Sequence, residues 1–262
     1  MNAQNTDVAD LSVIVIAGFE EHNIGACLDT VHWAKEIIVV CSQQQDETMT
    51  VARRYTPHVT YRTFDGYAAQ KQFALEQASC PWVLSLDADE RVTPELREEI
   101  SAVLAADGPA DGYSMPRRNH FRGKWLRHGG WYPDRQMRLF RRSRTRLTDR
   151  LVHEGFEVEG RRGEFEAALL HYTLPNVRHM LEKNIWYAQY EAQEKRHRRR
   201  VTVLDFLLRP PLEFLKKYLL QRGFLDGWEG FIVAVIHASN KLHVQLHLWD
   251  IQRHGEPGDT AS

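Results

Sequence analysis

The residues best placed for chemistry are Asp87-Ala88-Asp89, two carboxylates one residue apart, immediately after the apolar run Val83-Leu84-Ser85-Leu86. A pair of this kind can be offered to one Mg²⁺ or Mn²⁺ ion, which takes a few protein carboxylates, water and the phosphate oxygens of a substrate. In sugar transfer from a nucleotide diphosphate, such an ion neutralises the charge that builds on the departing diphosphate. A D-x-D triplet alone equally suits a solvated loop or a helix cap, so its position in the fold decides its meaning.

That position is set by a regular series of elements. Leu11–Ile16 (LSVIVI) and Glu36–Cys41 (EIIVVC) are continuous β-branched runs of the kind that parallel strands covered on both faces require. Val59–Arg62 and Trp82–Leu86 read as a third and a fourth strand, with helices over Glu20–Trp33, around Thr48–Ala52 and over Tyr67–Ser79. This alternation predicts an α/β fold with a doubly wound, mainly parallel sheet. Ligands in such sheets bind beyond the carboxyl ends of the strands. Phe19–His22, Cys41–Asp46 and Asp87–Glu90 all fall there, so three polar loops are expected to converge on one crevice. Thr93-Pro94 starts a helix through Ala106, and short strands and Gly/Pro/aromatic loops follow from Gly112 to about His171. Asn176–Arg200 reads as a long helix, Arg209-Pro210-Pro211 as a break, and Leu212–Leu248 as a strongly apolar helical stretch. The expected division is a catalytic domain over residues 1–175 and a helical, basic and amphipathic region over residues 176–262.

Bulk properties bound the function classes. A chain of 262 residues can hold one large α/β domain, or a smaller domain with an appendage. Its net charge of −1 makes no electrostatic case for a nucleic-acid partner. The charge is uneven, with acids gathered over Asp87–Glu99 and a basic run over Lys195–Arg200. Cys27, Cys41 and Cys80 form no redox or zinc spacing and suit a reduced, cytoplasmic setting. Val13–Ala17 is too short for a secretion signal, and no window is apolar for long enough to span a bilayer. Leu204, Leu207, Leu212, Leu215 and Leu219 interleave with Arg209, Lys216 and Arg222, a pattern suited to lying on the cytoplasmic face of an anionic membrane. The same helices can instead pack on the catalytic domain or on another subunit.

LSVIVIAGFEEHNI, EIIVVCSQQQDET, DGYAAQKQFALEQA, WVLSLDADERVTPEL, HGGWYPDRQMRLFRR and LVHEG together resemble family 2 glycosyltransferases. Within that family the likeness is to the bacterial group that adds glucose to the inner core of lipopolysaccharide, and it covers about residues 11 to 250. The resemblance implies a GT-A fold, a nucleoside-diphosphate sugar donor (a UDP-sugar by preference), Mg²⁺ or Mn²⁺, inversion at the anomeric carbon and a lipid-linked glycan acceptor. It places Asp87 at the ribose or metal and Asp89 as the principal metal ligand, with His153 matching a third. An inverting transfer also needs a base for the acceptor hydroxyl. Asp134, beside Trp131 and Tyr132, is the chosen residue, with Glu90 and Glu154 in reserve. Arg138 and Lys71 face the diphosphate in this reading, and Arg135, Arg141 and Arg142 are further cations nearby.

Two departures from the family pattern bear on the donor. The strand-end Asp and its Ser-Gly-Ser-x-Asp loop are replaced by Cys41-Ser42-Gln43-Gln44-Gln45-Asp46, and the first loop reads Phe19-Glu20-Glu21 in place of Asn-Glu-Glu. Glu20, Cys41 and Asp46 thus stand where nucleotide recognition is expected, with a thiol in place of the base-reading carboxylate. Loss of that acceptor costs about 1–3 kcal/mol of donor binding unless a neighbour replaces it. Transfer to a polyprenyl phosphate or another polysaccharide, and a non-catalytic nucleotide-sugar-binding protein, stay open as alternatives. A nucleotidyltransferase would need a glycine-rich, lysine-bearing loop after its first strand, which Ala17-Gly18-Phe19-Glu20 is not.

Overall fold

A computed structural model of the chain describes residues 9–44, 46–147, 155–196 and 200–254. In chain order the elements are β1 (Ala9–Ala17), α1 (Ile24–Asp29), β2 (Ala34–Cys41), α2 (Thr48–Ala52), β3 (Val59–Tyr61), α3 (Tyr67–Gln77), β4 (Trp82–Asp87), β5 (Glu90–Arg91) and α4 (Pro94–Ala105). There follow β6 (Gly112–Phe121), β7 (Lys124–Trp125), β8 (Asp134–Arg141), β9 (Thr145–Leu147), β10 (Phe156–Val158), β11 (Arg162–Glu164), β12 (Leu169–Leu174), α5 (Val177–Lys195), α6 (Val203–Leu215) and α7 (Gly227–His254). The chain forms two compact units. The first holds the described residues up to Arg117 and from Arg135 to His171; the second holds Arg118–Asp134 and the chain from Tyr172 onward.

In the first unit β3, β2, β1 and β4 are parallel neighbours, with Ile14 opposite both Ile38 and Ser85. The order continues β8-β6-β12-β5, and β8 joins β4 antiparallel, Leu84 opposite Leu139. The β-branched runs are unbroken because both faces of these strands are buried. Val13, Val15 and Val39 pack with Ile24, Leu28, Leu96 and Ile100 of α1 and α4, whereas Ile14, Ile38 and Val40 pack with Ala74 and Leu75 of α3. Thr93 caps α4 by accepting from the Leu96 N–H at 3.2 Å, with Pro94 in the first turn, as its sequence signature anticipates.

The second unit is built on α5, α6, α7 and the β6–β7 hairpin, around Phe121, Leu126, Leu174, Met180, Val233 and Ile236. Asn176 caps α5, and Asn184 ties α5 to α7 by donating to the Ile236 carbonyl and to Ser239 Oγ, each at 3.1 Å. The break expected at Arg209-Pro210-Pro211 does not occur there. Pro210 and Pro211 lie inside α6 and do not break it. Each removes an N–H from the helix ladder, but no residue of α6 is buried, so water can satisfy the carbonyls left over. The break comes later, after a π-helical turn over Lys216–Leu220, where Arg222 takes a left-handed φ of 56°. There the chain crosses α7 so closely that a Cβ on Gly230 would lie 1.9 Å from the Gly223 carbonyl oxygen.

Candidate active site at the aspartate pair

β4 delivers Asp87 to the carboxyl edge of the parallel strands, and a two-residue turn returns the chain as β5. Glu90, fully buried, closes that turn by accepting the Asp87 N–H at 3.0 Å. Its other oxygen holds two guanidinium groups, Arg138 at 2.7 Å and Arg117 at 3.2 Å. The same Arg138 nitrogen reaches Asp87 Oδ2 at 2.5 Å, and Lys71 Nζ reaches Asp87 Oδ1 at 3.2 Å. Arg91 Nη1 donates to the carbonyls of Ala88 (2.9 Å) and Glu90 (2.8 Å). Three carboxylates, Asp87, Asp89 and Glu90, are thus set among Lys71, Arg91, Arg117 and Arg138. Burial pushes the Asp87 carboxyl up, but Arg138, then Lys71, Arg117 and His171, outweigh it and hold the group well below the usual carboxylate range. Asp87 is an anion with 31% of its side chain open to solvent.

Asp89 has a partner that sequence reasoning missed. His171, in β12, places Nε2 3.3 Å from Asp89 Oδ2, and both side chains are largely covered. The pairing of β12 with β5, Leu170 opposite Arg91 and His171 opposite Glu90, brings them together across 82 residues of chain. A carboxylate beside an imidazole nitrogen is a donor set that suits Mn²⁺. Among the described residues no three His, Cys, Asp or Glu side chains form a ready metal cage. His153, expected as a ligand, and Glu154 lie outside the described residues.

The first two loops are joined to this turn by hydrogen bonds. The Phe19 N–H donates to Asp46 Oδ2 at 2.6 Å, the Thr48 N–H to Asp46 Oδ1 at 3.0 Å, and the Glu20 N–H to Thr48 Oγ1 at 2.9 Å. The Asn23 amide donates to Glu20 at 2.8 Å and accepts from Arg91 at 3.4 Å, which links the first loop to the aspartate turn. Cys41, at the end of β2, is fully buried, and burial first, then Asp46, pushes its thiol up to about 12. It is a neutral thiol and no nucleophile. Cys27 helps to fix the turn, its thiol 3.7 Å from the Asp87 carbonyl oxygen. Of the four arginines read near Asp134, only Arg138 meets the aspartates. Arg135 donates to the Phe165 carbonyl, Arg141 pairs with Asp107 and lies over Trp82, and Arg142 donates to the Ala78 carbonyl.

Asp134 belongs to the second unit. The buried Asn119 amide donates to its Oδ2 at 3.1 Å and to the Trp131 carbonyl at 3.0 Å, so one side chain fixes both the carboxylate and the loop that bears it.

Parallel strands delivering a carboxylate pair among cationic side chains, with antiparallel strands completing the sheet, define an α/β fold with a charged site at its carboxyl edge. The chain belongs to glycosyl transferase family 2, whose model matches residues 12–158. It is 32% identical over 236 residues to the lipopolysaccharide core biosynthesis glycosyltransferase LpsC of Rhizobium meliloti, covering 87% of each chain. It is 22% identical to an uncharacterised glycosyltransferase of Rickettsia typhi, over 87% of this chain and 82% of that one. Among solved structures, the mannosyltransferase PcManGT of Pyrobaculum calidifontis, determined with GDP-Man and Mn²⁺, matches with a TM-score of 0.55 at 16% identity, over 92% of this chain and 88% of that one. The fold is GT-A.

Proposed function

We propose that the protein transfers a hexose, glucose in the first instance, from a nucleoside-diphosphate sugar to a lipopolysaccharide core or similar membrane-linked glycan, with inversion at the anomeric carbon. The observation that carries this reading is the ionised Asp87 bracketed by Lys71 and Arg138 beside Asp89. A cationic pocket of this kind suits a diphosphate, and Arg138 Nε is a buried donor with no hydrogen-bond partner, which a phosphate oxygen can supply. Relatedness to LpsC supports the core-glycan acceptor. UDP is the preferred carrier, with Glu20, Cys41 and Asp46 along the nucleoside edge and Asp87 at the ribose.

Asp89, with His171 or the sequence-assigned His153, is proposed to hold a Mg²⁺ or Mn²⁺ ion, whose chemistry there is to neutralise charge on the departing diphosphate. Lys71 and Arg138 do the same from the protein side. Asp134 takes the proton of the acceptor hydroxyl, oriented by Asn119 and partly desolvated by Trp131 and Tyr132. Residues 1–175 hold the catalytic parts in this reading, and residues 176–262 seat the protein on an anionic membrane surface. The outward face of α6 supports that seat, with Leu207 63% and Leu212 59% exposed. No described helix is long and apolar enough to cross a membrane. A second reading, a nucleotide-sugar-binding protein without turnover, draws on Cys41, a neutral thiol where a base-reading carboxylate is expected.

Calorimetric titration of UDP-, GDP- and TDP-sugars with and without Mn²⁺ tests these roles. Asp89→Ala is expected to abolish metal-dependent binding. Asp134→Ala is expected to keep binding and to lose about 10²–10⁴-fold in turnover on a lipopolysaccharide-core acceptor. Binding indifferent to Mn²⁺ and to Asp89→Ala overturns the metal assignment, and full turnover in Asp134→Ala overturns the base. Donor binding with no transfer to any core acceptor favours the second reading.

A further inference from the structure

Residues 118–134 of the second unit contain four lysine and arginine residues, Arg118, Arg122, Lys124 and Arg127, and a single acid, Asp134. The fold neutralises only part of this charge. Lys124 pairs with Glu229 at 2.8 Å, and Asp134 is held by the neutral amide of Asn119. Arg118 and Arg127 both lie against one indole instead: their guanidinium carbons are 5.0 Å and 4.3 Å from the Trp125 ring centroid. Neither forms an ion pair with a carboxylate among the described residues. The ring attracts each cation, but it cancels no charge and accepts no conventional hydrogen bond.

Two further observations point to a ligand. Arg118 Nε and Trp125 Nε1 are buried N–H groups with no hydrogen-bond partner. Buried donors in a folded protein are paired as a rule, so a pair of orphans beside two uncompensated cations describes a site made of donors that lacks its acceptor. Tyr132 meets Trp125 edge-on, ring centroids 5.3 Å apart, and precedes Asp134 by two residues. The donors sit on the β6–β7 hairpin, and Trp125 meets the loop that leads to the carboxylate assigned to the acceptor hydroxyl. The missing group has to be anionic, rich in acceptor oxygens and compatible with flat apolar surface. A phosphate or carboxylate borne on a saccharide has all three properties, and planar guanidinium groups match its oxygens in pairs.

We infer that Arg118 and Arg127, held on Trp125, form a receptor for an anionic substituent of the acceptor glycan. This rests on the transferase reading above and adds to it a chemical class of acceptor: a phosphorylated or carboxylated saccharide, in place of a neutral one. The cations are positioned by the aromatic ring, so that binding the anion requires little further ordering of long side chains.

The test is calorimetric titration of the full chain, with UDP and Mn²⁺ in fixed excess to occupy the donor side, using a hexose 6-phosphate, the same hexose unphosphorylated, and inorganic phosphate. The hexose phosphate is expected to bind at least about tenfold more tightly than the hexose. That preference is expected to vanish in Arg127→Ala and in Arg118→Ala. Arg118→Lys should recover little of it, since an ammonium lacks the fork. Equal binding of the two hexoses by the wild type overturns the proposal, as does an unchanged preference in both alanine variants with native unfolding transitions. Inorganic phosphate binding as tightly as the hexose phosphate overturns the saccharide part, because it leaves an anion site only. Failure of this proposal is distinguishable from failure of the transferase reading. Preferential binding that is lost in Arg127→Ala supports the receptor even if no acceptor is glycosylated, whereas turnover with an acceptor KM unmoved by both variants overturns it.

Discussion

At the scale of single residues, the site depends on charges balanced among largely covered side chains. Glu90 is the hub: it fixes the backbone of Asp87 and holds Arg117 and Arg138 together. Breaking a buried ion pair from one side leaves the other charges uncompensated, so Glu90→Ala is expected to destabilise by about 3–5 kcal/mol, read as a lowered urea midpoint. Arg138→Ala acts through Asp87. The folded Asp87 is held below the carboxylate value of about 3.9 typical of unfolded chains, so its ion pairs contribute fully above that pH and are lost as pH falls through the folded value. Without Arg138, burial raises the Asp87 carboxyl with less opposition, and acid unfolding should begin at higher pH than in the wild type, as urea midpoints from neutral pH to about pH 3 would show. Phe19 offers a third check. It has a left-handed φ of 57° and is 69% exposed, a placement that costs a non-glycine residue about 1 kcal/mol. Asn tolerates that conformation, so Phe19→Asn should leave stability equal or slightly raised; a marked fall in melting temperature would mean that the ring packs usefully. At this scale the sequence showed Asp87 and Asp89 because only Ala88 separates them. Glu90 was read as a reserve base, and its part as a buried hub was hidden, like the positions of Arg117 and His171, because partners far along the chain create it.

At the scale of elements, the parallel half of the sheet was legible because strands buried on both faces need unbroken apolar runs, and β1, β2 and β4 have them. The helix caps at Thr93 and Asn176 were legible for a similarly local reason. The end of α6 was not. Pro210-Pro211 is a strong local breaker, yet the surface position of the helix makes it tolerable, and the actual stop is set by a close crossing that no local pattern encodes. Gly230 is the sharpest probe of that crossing. Alanine for glycine within a helix ordinarily stabilises by roughly 0.5–1 kcal/mol. Here the added Cβ meets the Gly223 carbonyl oxygen at 1.9 Å, so Gly230→Ala should destabilise by about 1–3 kcal/mol in thermal unfolding. A stabilised variant would show that α7 and the chain at Gly223 are not held at this separation.

At the scale of the whole molecule, the near-zero net charge conceals a sorting of charge by exposure around α6. Asp205, Glu213 and Asp226 are largely covered, whereas Arg209, Lys216 and Arg222 are exposed. Between those cations the outward face presents Leu204, Leu207, Leu212 and Leu220, continued by Trp228 at 77% exposure. A surface that combines solvent-facing leucines, an exposed tryptophan and unburied cations fits the headgroup layer of an anionic bilayer better than it fits water. The amphipathic composition was readable in the sequence; that the leucines face outward was not, because packing on the catalytic domain or on another subunit stayed open for them. The expected outcome is co-sedimentation with vesicles containing phosphatidylglycerol, weaker with phosphatidylcholine alone and reduced by added salt, since screening removes the contribution of the cations. A fully buried leucine side chain is worth about 1.5–3 kcal/mol, so Leu207→Ser with Leu212→Ser should weaken vesicle binding by about two orders of magnitude while the unfolding transition stays where it was. Sedimentation of the wild type without lipid separates the rival occupant of this face. A dimer that dissociates in the double variant, with vesicle binding absent in both proteins, would assign the leucines to a second copy of the chain and remove the membrane from the proposal.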